Sequence, residues 1–224
     1  MTRIACITPV LIILSLAVAP VHAQDHPPVE GEVRVGLLRY AGGRTAACFA
    51  SGFLDAVARQ TDIRVHRQFI PVDLDDDALF RHPFVIFSGE QAFDLSDDEA
   101  ARLRDYVQRG GFILASAGCS NAAWADSFRA LMARLFPDRP LTPLPADHPL
   151  MHTLYRIDQP VGRKPFDGHA LWHLTLNDRL AVLYSPLGLN DSANAGGGCC
   201  CCGGNELRNA AAINANTLVY VLTH

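Results

Sequence analysis

The sequence predicts an α/β domain built on a mostly parallel β-sheet. Residues 83–88 and 112–116 form short, continuous apolar runs, which is typical of parallel strands buried on both faces. Segments with helical spacing of apolar residues alternate with such runs, and this order predicts helices on both faces of the sheet. A turn at Asn177-Asp178, between residues 171–176 and 179–185, predicts a hairpin that extends the sheet toward the C-terminus.

The first third of the chain supplies two further strands and a helix. Residues 33–39 are rich in β-branched and apolar side chains, which predicts the opening strand. Residues 45–59 have apolar side chains near helical spacing and predict a helix. Residues 63–70 alternate between apolar and polar side chains, which favours a half-buried strand.

The remaining helices follow from their end signals. Ser96 and Glu99 form a capping box, and Gly110-Gly111 ends the helix that they begin. A second helix after residues 112–116 is expected to run to about Phe136, and residues 137–150 are irregular. A last helix, capped by Asn205, is expected from Glu206 to about Val221, with an earlier end favoured by its β-rich final segment.

The turns that follow three of these strands define where a site is expected. In parallel α/β sheets, ligands bind beyond the carboxyl ends of the strands. Residues 40–44, 88–91 and 116–121 all follow predicted strands. The sequence therefore predicts that these three turns meet at one edge of the sheet.

The N-terminus predicts export. Residues 1–23 combine a basic residue, Arg3, with an apolar run at residues 5–18 and a small residue, Ala23, before a cleavage site at Gln24. The apolar run is shorter than the roughly 20 residues that span a membrane. We therefore expect a cleaved signal peptide and a periplasmic or secreted protein, the alternative being an N-terminal membrane anchor.

The mature chain is expected to hold a flexible lead-in, residues 24–31, and a single α/β domain, residues 32–224. The full-length sequence has a formal net charge of -4, and its 19 Lys and Arg residues do not cluster along the chain. This pattern argues against nucleic acid and anionic membrane surfaces as partners. We expect no membrane insertion after signal cleavage, and an unidentified protein partner in the cell envelope.

A series of motifs runs through the mature chain in a fixed order. It opens with Arg39-Tyr40-x-Gly42-Gly43 and closes with Asn216-x-x-Val219-Tyr220-x-Leu222-Thr223. Between them lie Asp76-x-x-Leu79-Phe80-x-x-Pro83-Phe84, Ser88-Gly89, Leu95-Ser96-x-x-Glu99, Leu103-Arg104-x-Tyr106, Gly110-Gly111-Phe112, Ser127-Phe128-Arg129, Phe136-Pro137-Asp138, Leu144-Pro145-x-Asp147-His148-Pro149 and Tyr184-Ser185-Pro186. In order and spacing, these motifs resemble the bacterial family called domain of unknown function 4159.

That resemblance implies a flavodoxin-like fold of the class I glutamine amidotransferase type, a doubly wound, mostly parallel sheet. It implies no amidotransferase activity, and it implies an exported or membrane-attached protein. The chain departs from the family pattern at Ser116-Ala117-Gly118-Cys119, where many members have an acidic pair, and at residues 196–204, which are denser in cysteine.

Cys119 is the candidate nucleophile. It follows a buried strand and precedes a helix, where an amidotransferase-like nucleophile would lie and where the helix N-terminus would lower its pKa. Catalysis would also need a histidine, for which His148 is the candidate, with His152 as a second. The alternatives for Cys119 are a packed cysteine without a role, a metal ligand and a disulfide partner.

A glycine-rich loop contains four consecutive cysteines, Cys199, Cys200, Cys201 and Cys202. Thiolates are soft ligands that suit copper or zinc, and the outer two have C-x-x-C spacing. Export favours instead disulfides within the loop or to Cys48 or Cys119. A loop without a specific role is the third alternative.

His169 and His173 are candidate further metal ligands, because positions four apart share one face of a strand. Ordinary surface histidines are the alternative. Taken together, the sequence favours an exported, non-catalytic binding or assembly module whose cysteine loop binds copper or zinc or acts as a redox switch. The alternative is a cysteine-nucleophile hydrolase or amidotransferase-like enzyme that uses Cys119.

Overall fold

The computed structural model of the protein describes residues 30–41, 45, 48–195 and 204–224. The predicted signal peptide, most of the lead-in and the four loop cysteines lie outside these residues. Contacts group Gly31–His224 into one compact unit, to which all the elements below belong. Within the described residues, no helix combines the length and the apolar character that crossing a membrane requires.

A mixed, mostly parallel sheet forms the centre of the unit. Its strands are β1 (Gly36–Arg39), β2 (Ile70–Asp73), β3 (Phe84–Gly89), β4 (Phe112–Ala117), β5 (Thr142–Pro143), β6 (Trp172–Leu176) and β7 (Arg179–Ser185). Their order is β2-β1-β3-β4-β7-β6-β5. The first five strands in this order pair in parallel, and β6 and β5 add antiparallel pairs. The α/β class and the mostly parallel sheet predicted from the sequence are confirmed.

Helices cover both faces of the sheet. They are α1 (Gly52–Gln60), α2 (Asp97–Gln108), α3 (Ala122–Leu135) and α4 (Ala210–Thr223). The apolar side chains of α2 and α3 pack in one core cluster, and those of α1 and α4 pack in the other. The continuous apolar runs of β3 and β4 are fully buried, because each contributes side chains to both clusters.

Two local signals are confirmed in atomic detail. The Ser96 hydroxyl accepts the backbone N–H of Glu99 at 3.2 Å, and the Glu99 carboxylate accepts the backbone N–H of Ser96 at 2.9 Å. Asn177 and Asp178 have φ values of 52° and 60°, as a tight hairpin turn between β6 and β7 requires. The second hairpin strand, β7, is the fifth parallel strand of the sheet rather than an outer extension.

Two predicted boundaries near the N-terminus are wrong. The helix expected from residue 45 begins at Gly52, because Cys48 is disulfide-bonded and the backbone N–H of Ala50 is donated to the carbonyl of Asn190 at 2.9 Å. The strand expected at residues 63–70 is irregular apart from a bridge at Val65, and regular pairing starts only at Ile70.

The last helix also differs from its prediction. It starts at Ala210, since Asn205 accepts the backbone N–H of Lys164 at 2.5 Å instead of capping a helix. Its β-rich final segment stays helical as far as Thr223, with Leu218 fully buried. Packing against the core outweighs the weak local propensity of these side chains.

Candidate functional site

The carboxyl ends of β1, β3, β4 and β7 meet at one side of the sheet. We call this the carboxyl edge, and it comprises residues 40, 88–90, 116–120 and 185–191, together with Glu206, which precedes α4. The described parts of the three turns that the sequence predicts at this position all lie at the carboxyl edge. The edge is unusual because its polar side chains are buried, notably Ser88, Ser116, Ser185, Asn190 and Glu206.

A serine–asparagine network lies beneath this edge. The backbone N–H of Leu189 donates to Ser116 Oγ at 2.7 Å, and Ser116 Oγ donates to Asn190 Oδ1. Ser88 Oγ donates to the carbonyl of Ser116 at 2.8 Å. Asn190 Nδ2 is buried and has no hydrogen-bond partner among the described residues. Because an unmade buried hydrogen bond costs about 1–3 kcal/mol, this amide is a donor that a ligand would satisfy.

Aromatic side chains support the network from one face. Trp124 Nε1 donates to the Tyr40 hydroxyl at 2.7 Å, and that hydroxyl donates to the carbonyl of Ser88 at 3.0 Å. A Cβ at Gly89 would lie 2.2 Å from the Tyr40 hydroxyl, so the position requires glycine. The strand end at Gly89 is therefore fixed by buried hydrogen bonds on a rigid base.

The turn after β4 contains two consecutive residues in the left-handed region. Cys119 and Ser120 both have φ of 54°, a conformation that costs free energy for side chains other than glycine and is enriched at functional sites. Ser120 Oγ stabilises it by donating to the carbonyl of Leu187 at 2.5 Å and accepting the backbone N–H of Asn205 at 2.7 Å. Cys119 is disulfide-bonded, and so is Cys48.

Glu206 anchors this turn from the segment before α4. Its side chain is almost fully buried, and Oε1 accepts the backbone N–H of Cys119 at 3.1 Å. Its other oxygen, Oε2, accepts the Ser192 hydroxyl and lies 3.9 Å from the guanidinium of Arg163. A buried carboxylate with three such partners is compensated, so its main effect is to position Cys119.

Asp191 is a second carboxylate at the edge. Its φ is 51°, and its two oxygens accept the side-chain amide of Asn194 at 2.9 and 3.0 Å. Burial raises the pKa of Asp191, the negative charge of Glu206 raises it further, and the Asn194 hydrogen bonds and Arg163 oppose both effects. Asp191, Glu206 and Arg163 therefore form a group of charged side chains next to the Cys119 turn.

His148 lies in a different part of the fold from Cys119. Its ring is 5.2 Å from the ring of Tyr220 and 6.1 Å from that of His173. Tyr220 is ten residues along α4 from Ala210, which is about 15 Å away from the edge at 1.5 Å per residue. The structure thus does not bring the two candidate catalytic side chains together.

Hydrogen bonding also determines which ring nitrogen of His148 carries the proton. Its Nδ1 accepts the backbone N–H of Leu150 at 3.1 Å, capping the short 3-10 turn Pro149–His152. Burial and the neighbouring His173 lower the pKa of His148, whereas Asp147 raises it. Protonation would replace an accepting nitrogen with a donor that faces another donor, so the neutral ring is the form that fits the fold.

The unfolding free energy should decrease as the pH falls from about 7.5 to about 5.5. Burial lowers the pKa values of both His82 and His148 below 6.5, so the unfolded chain binds more protons in this window. Urea denaturation at several pH values measures how steeply the unfolding free energy changes with pH. His148→Asn, which can still cap the turn, should reduce the slope, and an unchanged slope would contradict the assignment.

The candidate metal-ligating histidines are also separate. His169 packs edge-on against Trp172 at 5.8 Å, whereas His173 Nδ1 lies 3.1 Å from the carbonyl of Thr142. Across the described parts of the chain, no three His, Cys, Asp or Glu side chains are arranged to hold one metal ion. The four cysteines at 199–202 lie outside those parts.

One flank of the cysteine loop is described and lies against the Cys119 turn. A Cβ at Gly204 would lie only 2.2 Å from the carbonyl oxygen of Cys119, so backbone packs directly on backbone there. The neighbouring Asn205 and Glu206 hold Ser120 and Cys119 through their hydrogen bonds. The segment that leaves the loop is thus an integral part of the carboxyl edge.

Asn190, Asp191 and Glu206 are site residues that sequence reasoning missed. Asn190 and Asp191 follow β7, so the rule that placed the other three turns at the edge would have included them. The sequence predicts Glu206 at the start of a helix, and no local pattern distinguishes it from a surface residue. Its role depends on a contact with Cys119, 87 positions away.

Comparisons with known proteins agree with the motif order. The family model described as Domain of unknown function (DUF4159) matches residues 34–222. The match covers helices α1 to α4 apart from the end of α4, and the whole carboxyl edge. None of the curated proteins matches the chain significantly.

Proposed function

The chain belongs to the domain of unknown function 4159 family, and from that premise we propose that it is an exported, non-catalytic binding or assembly module with a redox-sensitive carboxyl edge. The observation that carries this proposal is the disulfide bonding of Cys119 and Cys48. A disulfide sulfur is neither an attacking thiolate nor a thiolate ligand. Disulfides persist in oxidising compartments, which agrees with export by the predicted signal peptide.

The strand order supports a flavodoxin-like fold of the glutamine amidotransferase type. In that fold the order is 2-1-3-4-5, and here β7 takes the place of the fifth strand. Its ligands bind at the switch point between the first and third strands. This point corresponds to Tyr40 and Gly89, beside the buried Asn190 amide.

The two disulfide-bonded cysteines lie in different segments that contact the carboxyl edge. Cys48 lies two residues before Ala50, whose backbone N–H is donated to the carbonyl of Asn190, and Cys119 lies in the strained turn beside Glu206. Reduction of these cysteines would loosen the segment that holds Asn190 and the turn that Glu206 anchors. The proposed module thus binds its envelope protein partner with an edge whose rigidity depends on cysteine oxidation.

The second version of this proposal is that the cysteine loop binds a soft metal ion. Copper or zinc would need reduced thiolates from Cys199, Cys200, Cys201 and Cys202, so metal binding and disulfide formation compete for the same sulfur atoms. His169 and His173 are the candidate nitrogen ligands. Elemental analysis of the reduced and the oxidised protein distinguishes the two forms, because only the reduced loop would retain metal.

Hydrogen exchange tests the redox control. We expect the backbone amides of Ala50, Cys119 and Leu189 to exchange faster after reduction with dithiothreitol, while those of β3 keep their protection. The double variant Cys48→Ser, Cys119→Ser should show the fast exchange without reductant. Equal exchange rates in the oxidised and reduced proteins would reject the proposal.

One observation favours the alternative of a cysteine-nucleophile enzyme. The Cys119 turn joins a buried strand to a helix in the left-handed conformation, as nucleophile turns in α/β hydrolases do. His148 lies elsewhere, so reduced Cys119 would need a different base. Reaction of the reduced protein with iodoacetamide at neutral pH tests this, since an activated thiolate is modified much faster than an ordinary cysteine.

A further inference from the structure

A cavity of about 300 Å³ lies on the side of the sheet opposite the carboxyl edge. It is formed where the chain enters β3 and β4, and its lining includes Phe80, Arg81, His82, Tyr106 and Arg109. We call it the amino-edge cavity. Its volume is at the lower end of the range for small-molecule sites.

Positive charge collects around this cavity although it does not cluster along the sequence. Among the described residues, Arg81 and Arg109 line the cavity. Three more arginines lie beside its lining residues, namely Arg34 beside His82, Arg102 over Phe80 and Arg179 beside Gly111. Carboxylates pair with three of them, as Glu32 does with Arg34, Asp77 with Arg102 and Asp105 with Arg109. Among the described residues, no carboxylate pairs with Arg81 or Arg179, so the cavity has excess positive charge in a chain of net charge -4.

The negative end of α2 does not cancel this charge. Arg179 donates from Nη2 to the carbonyls of Val107 and Gly111, at 3.1 and 3.4 Å, and so neutralises the carbonyls that end the helix. Arg109 reaches the cavity over the ring of Phe80, with its guanidinium carbon 5.0 Å from the ring centre. Arg109 donates to Asp105 from Nε, which leaves its two terminal nitrogens, Nη1 and Nη2, for a ligand.

His82 provides a buried polar group in the same lining. It is only 7 % exposed, and its Nδ1 lies 2.9 Å from the carbonyl of Arg34. Nδ1 is therefore the protonated nitrogen, and Nε2 has no partner among the residues that the structure describes. Tyr106 fixes this side of the cavity, since its hydroxyl donates to the carbonyl of His82 at 2.8 Å.

We propose that the amino-edge cavity binds a small organic anion through a carboxylate or phosphate group held by Arg81 and Arg109. A guanidinium donates two parallel N–H groups, which match the geometry of both oxyanions. The ring of Phe80 and the apolar part of the lining would contact the organic portion of the ligand. This site is separate from the carboxyl edge and does not depend on cysteine oxidation.

Calorimetric titration of the mature protein tests the site, with inorganic phosphate and acetate as probes at constant ionic strength. We expect at least one probe to bind, and the tighter one identifies the group that the natural ligand carries. Arg81→Gln should weaken binding by about tenfold, since one charged contact is lost. Arg139→Gln removes an exposed arginine elsewhere and should leave binding unchanged.

Arg81 and Arg139 are both exposed, so neither substitution is expected to alter the fold. Circular dichroism would verify this. Failure of both probes to bind would overturn the proposal. Equal affinities in Arg81→Gln and Arg139→Gln would overturn it too, because binding would then reflect overall charge or another site.

Discussion

Replacing Trp124 with alanine should lower the free energy of unfolding by about 3–5 kcal/mol, the largest effect that we expect from one substitution. The indole is fully buried, stacks on Phe128 with ring centres 5.3 Å apart, and contacts Phe87 edge-on at 5.7 Å. Its removal leaves a cavity and also removes the donor to Tyr40. Urea denaturation followed by far-UV circular dichroism measures the change.

Trp124→Phe separates packing from hydrogen bonding. A phenyl ring keeps most of the stacking on Phe128 but cannot donate to Tyr40, so we expect a loss of about 1–2 kcal/mol. If Trp124→Ala costs less than Trp124→Phe, the indole does not support the edge as described. The same variants should accelerate amide exchange at Gly89, because Tyr40 orients that strand end.

Glu206→Ala should destabilise the protein by about 2–3 kcal/mol, because it leaves the backbone N–H of Cys119 and the Ser192 hydroxyl without their acceptor. Arg163, the nearby guanidinium, would also lose its buried carboxylate. Chemical denaturation under oxidising conditions measures the loss. The effect should be larger than that of substituting any exposed acidic residue, such as Asp98.

Glu206→Gln is the matched control for charge. Glutamine keeps an oxygen for the N–H of Cys119, so the loss of stability should be less than half of that in Glu206→Ala. Removal of the negative charge should also lower the pKa of Asp191, because Glu206 raises it. An NMR titration that finds the same Asp191 pKa in both proteins would contradict the proximity of the two carboxylates.

The sequence predicts most of the scaffold, because the signals there are local. The capping box of Ser96 and Glu99 and the turn at Asn177-Asp178 depend on side chains a few positions apart, and both appear as expected. The buried strands β3 and β4 follow from continuous apolar runs. Placing the turns at one edge needs only the rule that parallel strands end together.

The errors arise where distant contacts override local preference. Residues 48–50 are not helical, since Ala50 bonds to Asn190, 140 positions later. Glu206 and Arg81 owe their roles to neighbours that only the fold provides. Residue type alone predicts His148 as the partner of Cys119, and the structure places this histidine beside Tyr220 and His173.

Cysteine alkylation of the mature protein tests the central claim most directly. The protein would be isolated from an oxidising compartment, denatured without reductant, treated with iodoacetamide and mapped by mass spectrometry. We predict that Cys48 and Cys119 stay unmodified until dithiothreitol is added, because both are disulfide-bonded. Modification of both cysteines before reduction would show that their thiols are free, and would contradict a redox-sensitive carboxyl edge.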